Sequence, residues 1–127
     1  MITELRAHLK ADAGVTAIAG PRVEWAKVPQ GMTMPAVILH AISAPPLYTM
    51  RGRVSLIGEL VQIDCWASTF LVARNLAAAV TDALDQLTEP PLQAIIENQR
   101  SDLDTAEGRS DLYRASLDVR VWHSQAA

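Results

Sequence analysis

The side chains of this sequence that could do chemistry are two strand aspartates, three histidines, one cysteine and an acidic stretch, and their spacing decides what each could do. Asp64 and Asp118 sit in segments where polar and apolar residues alternate, and Arg120 follows Asp118 by two positions. Two carboxylates joined by a histidine would suit a small metal-dependent hydrolase or nuclease, the metal activating a water. Arg120 on the same side as Asp118 works against that reading, because its charge opposes a bound cation. Asp102, Asp104, Glu107 and Asp111 invite comparison with a calcium loop. Ala106 stands where a third oxygen ligand is needed and Gly108 comes too late for the tight turn, so the stretch reads as a solvated loop. His8, His40 and His123 are scattered over a helix, a strand end and the tail, with no Ser-His-Asp or Cys-His spacing. Cys65 is the only cysteine, which removes an intrachain disulfide and a cysteine-based zinc site. It alternates with Val61 and Ile63, the pattern of a buried, unreactive thiol. The glycines are dispersed and form no phosphate-cradling loop. The expectation is a non-enzymatic chain with no cofactor and no metal.

Position along the chain comes from the elements that carry these residues. Thr3 is a candidate N-cap for a first helix with Leu5, Leu9 and Ala13 at near-helical spacing, ended by Gly14 and followed by a short turn over Val15–Ala19. Val23–Val28 reads as a short strand and Pro29–Pro35 as a loop. Ala36–Ser43 is a strand, with Val37, Ile38, Leu39 and Ile42 in a nearly continuous apolar run stopped by Pro45-Pro46. Residues 47–58, with Arg51 and Arg53 and no acid, read as a long mobile excursion between strands. In the strand Glu59–Ala67, Val61, Ile63 and Cys65 face one way and Gln62, Asp64 and Trp66 the other. Ser68 caps a helix over 69–87, whose apolar stripe is Ala73, Leu76, Ala77, Val80, Leu84 and Leu87. Pro90-Pro91 ends it. Leu92–Arg100 is a strand, 101–111 a polar loop, and Leu112–Trp122 the last strand. There Tyr113, Ala115, Leu117, Val119 and Val121 oppose Arg114, Ser116, Asp118, Arg120 and Trp122.

Loops too short for crossover helices favour antiparallel pairing. The fold class expected is α+β: a mixed, largely antiparallel sheet with two helices packed on one face, in a single domain over 1–127. With half of its 127 residues hydrophobic, the chain can bury a core without metal or disulfide staples. The net charge of −3, with no block of Lys or Arg, leaves no electrostatic footprint for nucleic acid. Glu4, Arg6, His8, Lys10 and Asp12 exclude a secretory segment over residues 1–20, and no apolar run reaches the roughly twenty residues of a bilayer span. No membrane association is expected.

Three stretches together resemble the bacteriophage tail-completion family, also called tail terminators or head-to-tail joining proteins. They are Val61-Gln62-Ile63-Asp64-Cys65-Trp66-Ala67 before an Ala-rich helix, the ending Leu112–His123, and the opening helix that leads to Pro29-Gln30-Gly31 and Pro35-Ala36-Val37-Ile38. The resemblance spans essentially the whole chain. It implies a structural virion protein at the head-proximal end of the tail, assembled in the bacterial cytoplasm as a homomeric ring of six. Its partners would be the tail tube protein and the head connector or stopper, and DNA would pass through the lumen without specific binding. The family brings no catalytic residues to carry over, only surfaces.

Candidate surfaces follow from the residues. Asp64, Asp118 and Arg120 could form a polar stripe at a subunit interface or ring lumen, or could simply be paired across strands on a solvated face. Trp66 and Trp122 alternate with those charges, as contact aromatics do, or pack under a loop of their own subunit. Arg51 and Arg53 oppose in sign the stretch with Asp102, Asp104 and Glu107, and unlike patches on neighbouring copies are how a rotation closes a ring. The competing functions are a metal-dependent hydrolase or nuclease and a dimeric cytoplasmic adaptor domain.

Overall fold

The computed structural model describes residues 1–26, 34–104 and 112–124, with side chains omitted at 102–104. Its order is α1 (Ile2–Ala11), α2 (Ala13–Ala19), β1 (Val23–Trp25), β2 (Ala36–Ser43), β3 (Pro46–Thr49), β4 (Gly52–Ala67), α3 (Phe70–Leu84), β5 (Thr88–Glu89), β6 (Leu92–Asp104) and β7 (Leu112–Ser124). The strands form one sheet in the order β1-β2-β4-β7-β6-β5, with β3 continuing along β4 beyond β2. Among the described residues only the short β1–β2 pair is parallel. The expected α+β class is the one observed.

The core follows from strand parity. Cross-strand rows Val37–Cys65–Ala115, Leu39–Ile63–Leu117 and Ala41–Val61–Val119 run over β2, β4 and β7. Apart from Ala41, these side chains lie in one buried cluster with Leu5 and Leu9 of α1, Val15 and Ala19 of α2, and Leu76, Val80 and Leu84 of α3. All three helices therefore cover one face of the sheet. Each fully buried Leu or Ile there contributes about 1.5–3 kcal/mol by leaving water.

The helices differ from expectation at their ends. The α1 helix starts at Ile2 without a side-chain cap, so Thr3 is inside it. Asp12 has extended backbone angles, and its carboxylate accepts from the Val15 amide at 3.0 Å. It therefore caps a separate two-turn helix, α2, in which Gly14 is an interior residue, so among the described residues three helices and not two lie on the sheet. The cap of α3 is Thr69, not Ser68: its Oγ1 accepts from Val72 N at 3.2 Å. The helix ends at Leu84 as the amides of Gln86 and Leu87 bond Ala83 and Leu84 in a tightened turn. His8 Nε2 meets the Ala83 carbonyl at 2.6 Å, tying α1 to this end of α3.

The largest departure is at 47–58. That stretch is not an excursion but a hairpin, in which Tyr48 pairs with Arg53 and Thr49 with Gly52 around Met50-Arg51. Gly52 takes φ of 115°, a conformation that L side chains rarely adopt, and Thr49 Oγ1 accepts from the Arg51 amide at 3.2 Å. A turn over Met50-Arg51 followed at once by a positive-φ glycine is a recurrent way to close a hairpin. Strand β6 also continues through residues 101–104, part of the stretch that the sequence predicts as a polar loop, while 105–111 lie outside the described residues. Strand β1 ends at Trp25, and β7 continues to Ser124.

Candidate functional site

Side chains at even positions of β4 and β7 point away from the helices, onto a sheet face that no described element covers. At its centre is Asp64, only 2 % exposed. Its Oδ1 accepts from Ser116 Oγ at 2.7 Å and from Gln62 Nε2 at 2.9 Å, and its Oδ2 meets His40 Nε2 at 3.2 Å with Arg114 Nη1 at 4.0 Å. This cluster explains how a carboxylate survives in a buried position: each of its two oxygens has a close polar partner. Ser, Asp and His are thus together, but in the wrong order for nucleophilic catalysis. The serine gives its hydrogen bond to the aspartate, and no bond links it to the histidine that would have to take its proton.

The other charges of this face are likewise held within the chain. Asp118 Oδ1 receives Arg100 Nη2 at 2.9 Å. Arg120 donates from Nε to Glu97 at 3.4 Å and from Nη1 to the Gly58 carbonyl at 3.1 Å. The sequence predicted Asp64, Asp118 and Arg120 on one face, and they are there, but each has its own partners and the two aspartates do not share a site. Among the described residues no group of three or more His, Cys, Asp or Glu could hold a metal ion.

The two tryptophans have different surroundings. Trp66, 5 % exposed, packs with Ile38, Leu112 and Met34, and the Arg114 guanidinium lies 5.3 Å from its ring centroid. Trp122 lies across β4 at Gly58: a Cβ built there would sit 2.7 Å from the ring, so the glycine makes room for the indole. Trp122, Leu56, Gln93 and the Pro90-Pro91 turn line a cleft of about 350 Å³. Neighbouring Leu56 and Ile95 are exposed apolar residues on this side.

Beyond the end of β7 the hairpin of β3 and β4 projects as an arm. Ser124, the last described residue of β7, pairs with Leu56, and among the described residues Gly52–Ser55 are bonded only to β3. The arm carries Arg51 and Arg53, both exposed, together with Tyr48 (68 % exposed) and Met50, whose side chain is wholly in solvent. Asp102 and Asp104 lie at the far end of β6, opposite Arg114 and Leu112, and Glu107 lies outside the described residues.

Sequence reading missed the exposed apolar residues of the arm, the Gly58–Trp122 contact and the Glu59–His123 pair at 3.2 Å. Gly52 was the available signal for the first; the others need the strand register. Cys65 is fully buried, and that burial, with the neighbouring Asp64 charge, pushes its thiol pKa well above the ordinary range. No helix among the described residues is long and apolar enough to cross a membrane.

Comparison with known proteins adds the family. The family model described as tail completion protein gp17 matches residues 3–124. No curated protein sequence matches the chain. Among solved structures, a chain from the virion of a native gene transfer agent particle has the same fold, with a TM-score of 0.69 and 22% identity. That match covers 95% of this chain and 92% of the other.

Proposed function

Because the chain belongs to the tail completion protein gp17 family, and is thereby a structural protein of a phage tail, we propose that it completes the tail as a homomeric ring of six. In this reading the ring caps the tail tube at its head-proximal end and then meets the head connector or stopper. DNA passes through its lumen without specific binding, and the protein has no catalytic role.

The observation that carries this is the family match over nearly the entire chain. The structure is consistent with a role in assembly at two places. One is the sheet face left uncovered by helices, where Trp122 flanks an apolar cleft beside Arg120. The other is the arm with Arg51 and Arg53. On this reading Asp64, Asp118 and Trp66 brace the sheet face from within, while Trp122 and the arm make the contacts. In the same reading the acidic residues Asp102, Asp104 and Glu107 belong to the contact with the head-side or neighbouring partner. The net charge of −3 and the internal pairing of Arg100, Arg114 and Arg120 leave little to hold a phosphate backbone.

Electron microscopy of the concentrated protein, alone and mixed with tail tubes lacking their terminal ring, tests the proposal. Annular particles, or a ring added at one tube end, are expected. A stable dimer that ignores tubes, or turnover of a substrate lost on changing one side chain, would overturn it.

A further inference from the structure

We infer that the tip of the β3–β4 arm of one copy seats in an acidic groove beside α1 of the next copy, so that an arm-to-groove contact is the repeating link of the ring. This rests on the ring reading above. The arm is unusual for a soluble surface. From Ala41 to Gly58 there is no acidic residue, Arg51 and Arg53 are in no ion pair among the described residues, and Leu47, Tyr48 and Met50 are all exposed. An apolar tip flanked by unpaired cations suits a receptor that is concave, partly apolar and negative.

The same chain carries such a receptor. Two clefts of about 420 and 510 Å³ share Glu4 near the start of α1. The first runs past His8 to Glu89 and the Pro90-Pro91 turn. The second runs past the exposed Ile2 to Glu59 and His123. Three carboxylates line them: Glu4 is held by the Met1 ammonium at 2.8 Å and Glu59 by His123 at 3.2 Å, which leaves Glu89 as the carboxylate that meets the guanidiniums of the arm. Each cleft is large enough to accept a bulky side chain. Glu89 is exposed and in no ion pair among the described residues.

The contact must be between copies. Glu59 lines the groove and lies on the arm's own strand, seven residues from Gly52 at the turn. At roughly 3.3 Å per strand residue the tip is about 23 Å away, and a hairpin paired along that length cannot fold back. Arm and groove are different patches, so the contact is heterologous, and such a contact closes into a ring when the rotation allows.

Cross-linking of single-cysteine positions tests this, since native Cys65 is buried. Met50→Cys is mixed with a mass-tagged Glu89→Cys chain at the concentration used for microscopy, then mildly oxidised. A heterodimer of intermediate mass, with a 50–89 linkage found by peptide mass mapping, is expected, and neither chain alone should give that linkage. Arg51→Glu with Arg53→Glu should remove linkage and rings while leaving circular dichroism and the melting temperature unchanged, and adding Glu89→Lys to that chain should restore part of the ring formation, read by microscopy. Rings without the 50–89 linkage, or with the arm linked instead to cysteines at 102–107, would overturn the arm-to-groove contact and leave the ring reading standing. The linkage in open chains would support the contact and refute closure. Absence of both linkage and rings, with or without tail tubes, would sink both.

Discussion

Replacing Asp64 asks whether the buried carboxylate is a brace or a reactive group. In Asp64→Ala, Ser116, 1 % exposed, loses the acceptor of its 2.7 Å hydrogen bond, and Gln62 loses one at 2.9 Å. Arg114 loses a counter-charge at 4.0 Å and His40 loses its 3.2 Å partner. A hydrogen bond to a charged group is worth about 1.5–3 kcal/mol, and breaking a buried ionic cluster from one side costs about 3–5 kcal/mol. His40 and Arg114 are partly exposed and recover some hydration, so about 3 kcal/mol is expected. With a urea slope of about 2 kcal/mol/M, the unfolding midpoint should fall by roughly 1.5 M. Asp64→Asn keeps an oxygen for Ser116 and gives up the charge, so it should lose about half as much. The assay is equilibrium urea unfolding followed by tryptophan fluorescence, with Trp66 of the same sheet face among the reporters. An Asp64→Ala midpoint within 0.3 M of the parent, taken as roughly 0.6 kcal/mol at that slope, would refute the bracing role. Asn as damaging as Ala would locate the effect in charge alone.

Gly58→Ala forces the Trp122 ring off β4 and should cost about 1–3 kcal/mol as overpacking; in a Trp122→Ala background the same change should be close to neutral, and additivity of the two would contradict the contact. Thr69→Ala and Asp12→Ala each remove a helix cap and should each cost about 1 kcal/mol in the same unfolding assay. Cys65 keeps its proton in the folded state well above the pH at which an unfolded thiol ionises near 8.5. Above that pH the folded state holds the extra proton, so stability should decline with rising pH by up to about 1.4 kcal/mol per unit, a slope that Cys65→Ala should lack. Ring assembly should weaken as salt rises from about 0.1 to 1 M, over which the screening length shrinks from roughly 10 to 3 Å, if Arg51 and Arg53 meet exposed carboxylates; light scattering reads it.

What was legible in the sequence was whatever one wet face and one dry face imprint on it. Val61, Ile63 and Cys65 against Gln62, Asp64 and Trp66 gave β4 its orientation, and Ala115, Leu117, Val119 and Val121 did the same for β7, because the helix side excludes water. The stripe Ala73–Leu76–Ala77–Val80–Leu84 located α3 for the same reason. Where both faces are wet that imprint vanishes. The arm is exposed on both sides from Leu47 to Arg53, and β6 carries Asn98, Gln99, Arg100 and Ser101 in succession, so neither shows alternation although both are strands. Caps slipped by one residue because Ser68 and Thr69 are chemically equivalent candidates. The cluster at Asp64 was out of reach, since it joins residues 52 positions apart and only the β4–β7 register brings them together.

The contrast between sheet face and arm bears on how such a protein assembles. On the sheet face, Arg100, Arg120 and Asp64 already have partners within the chain, so that surface offers a fixed shape and little unspent charge. Breaking those pairs to make others across an interface would gain almost nothing, since one set of hydrogen bonds would replace another. The arm is built the opposite way, with two cations unpaired and a methionine fully in solvent. Contact there lets the arm cations meet a carboxylate such as Glu89 and removes apolar area from water without breaking any ion pair of the arm. Association should therefore be initiated by the arm, and the sheet face, already rigid, should fix the angle at which the next copy stands.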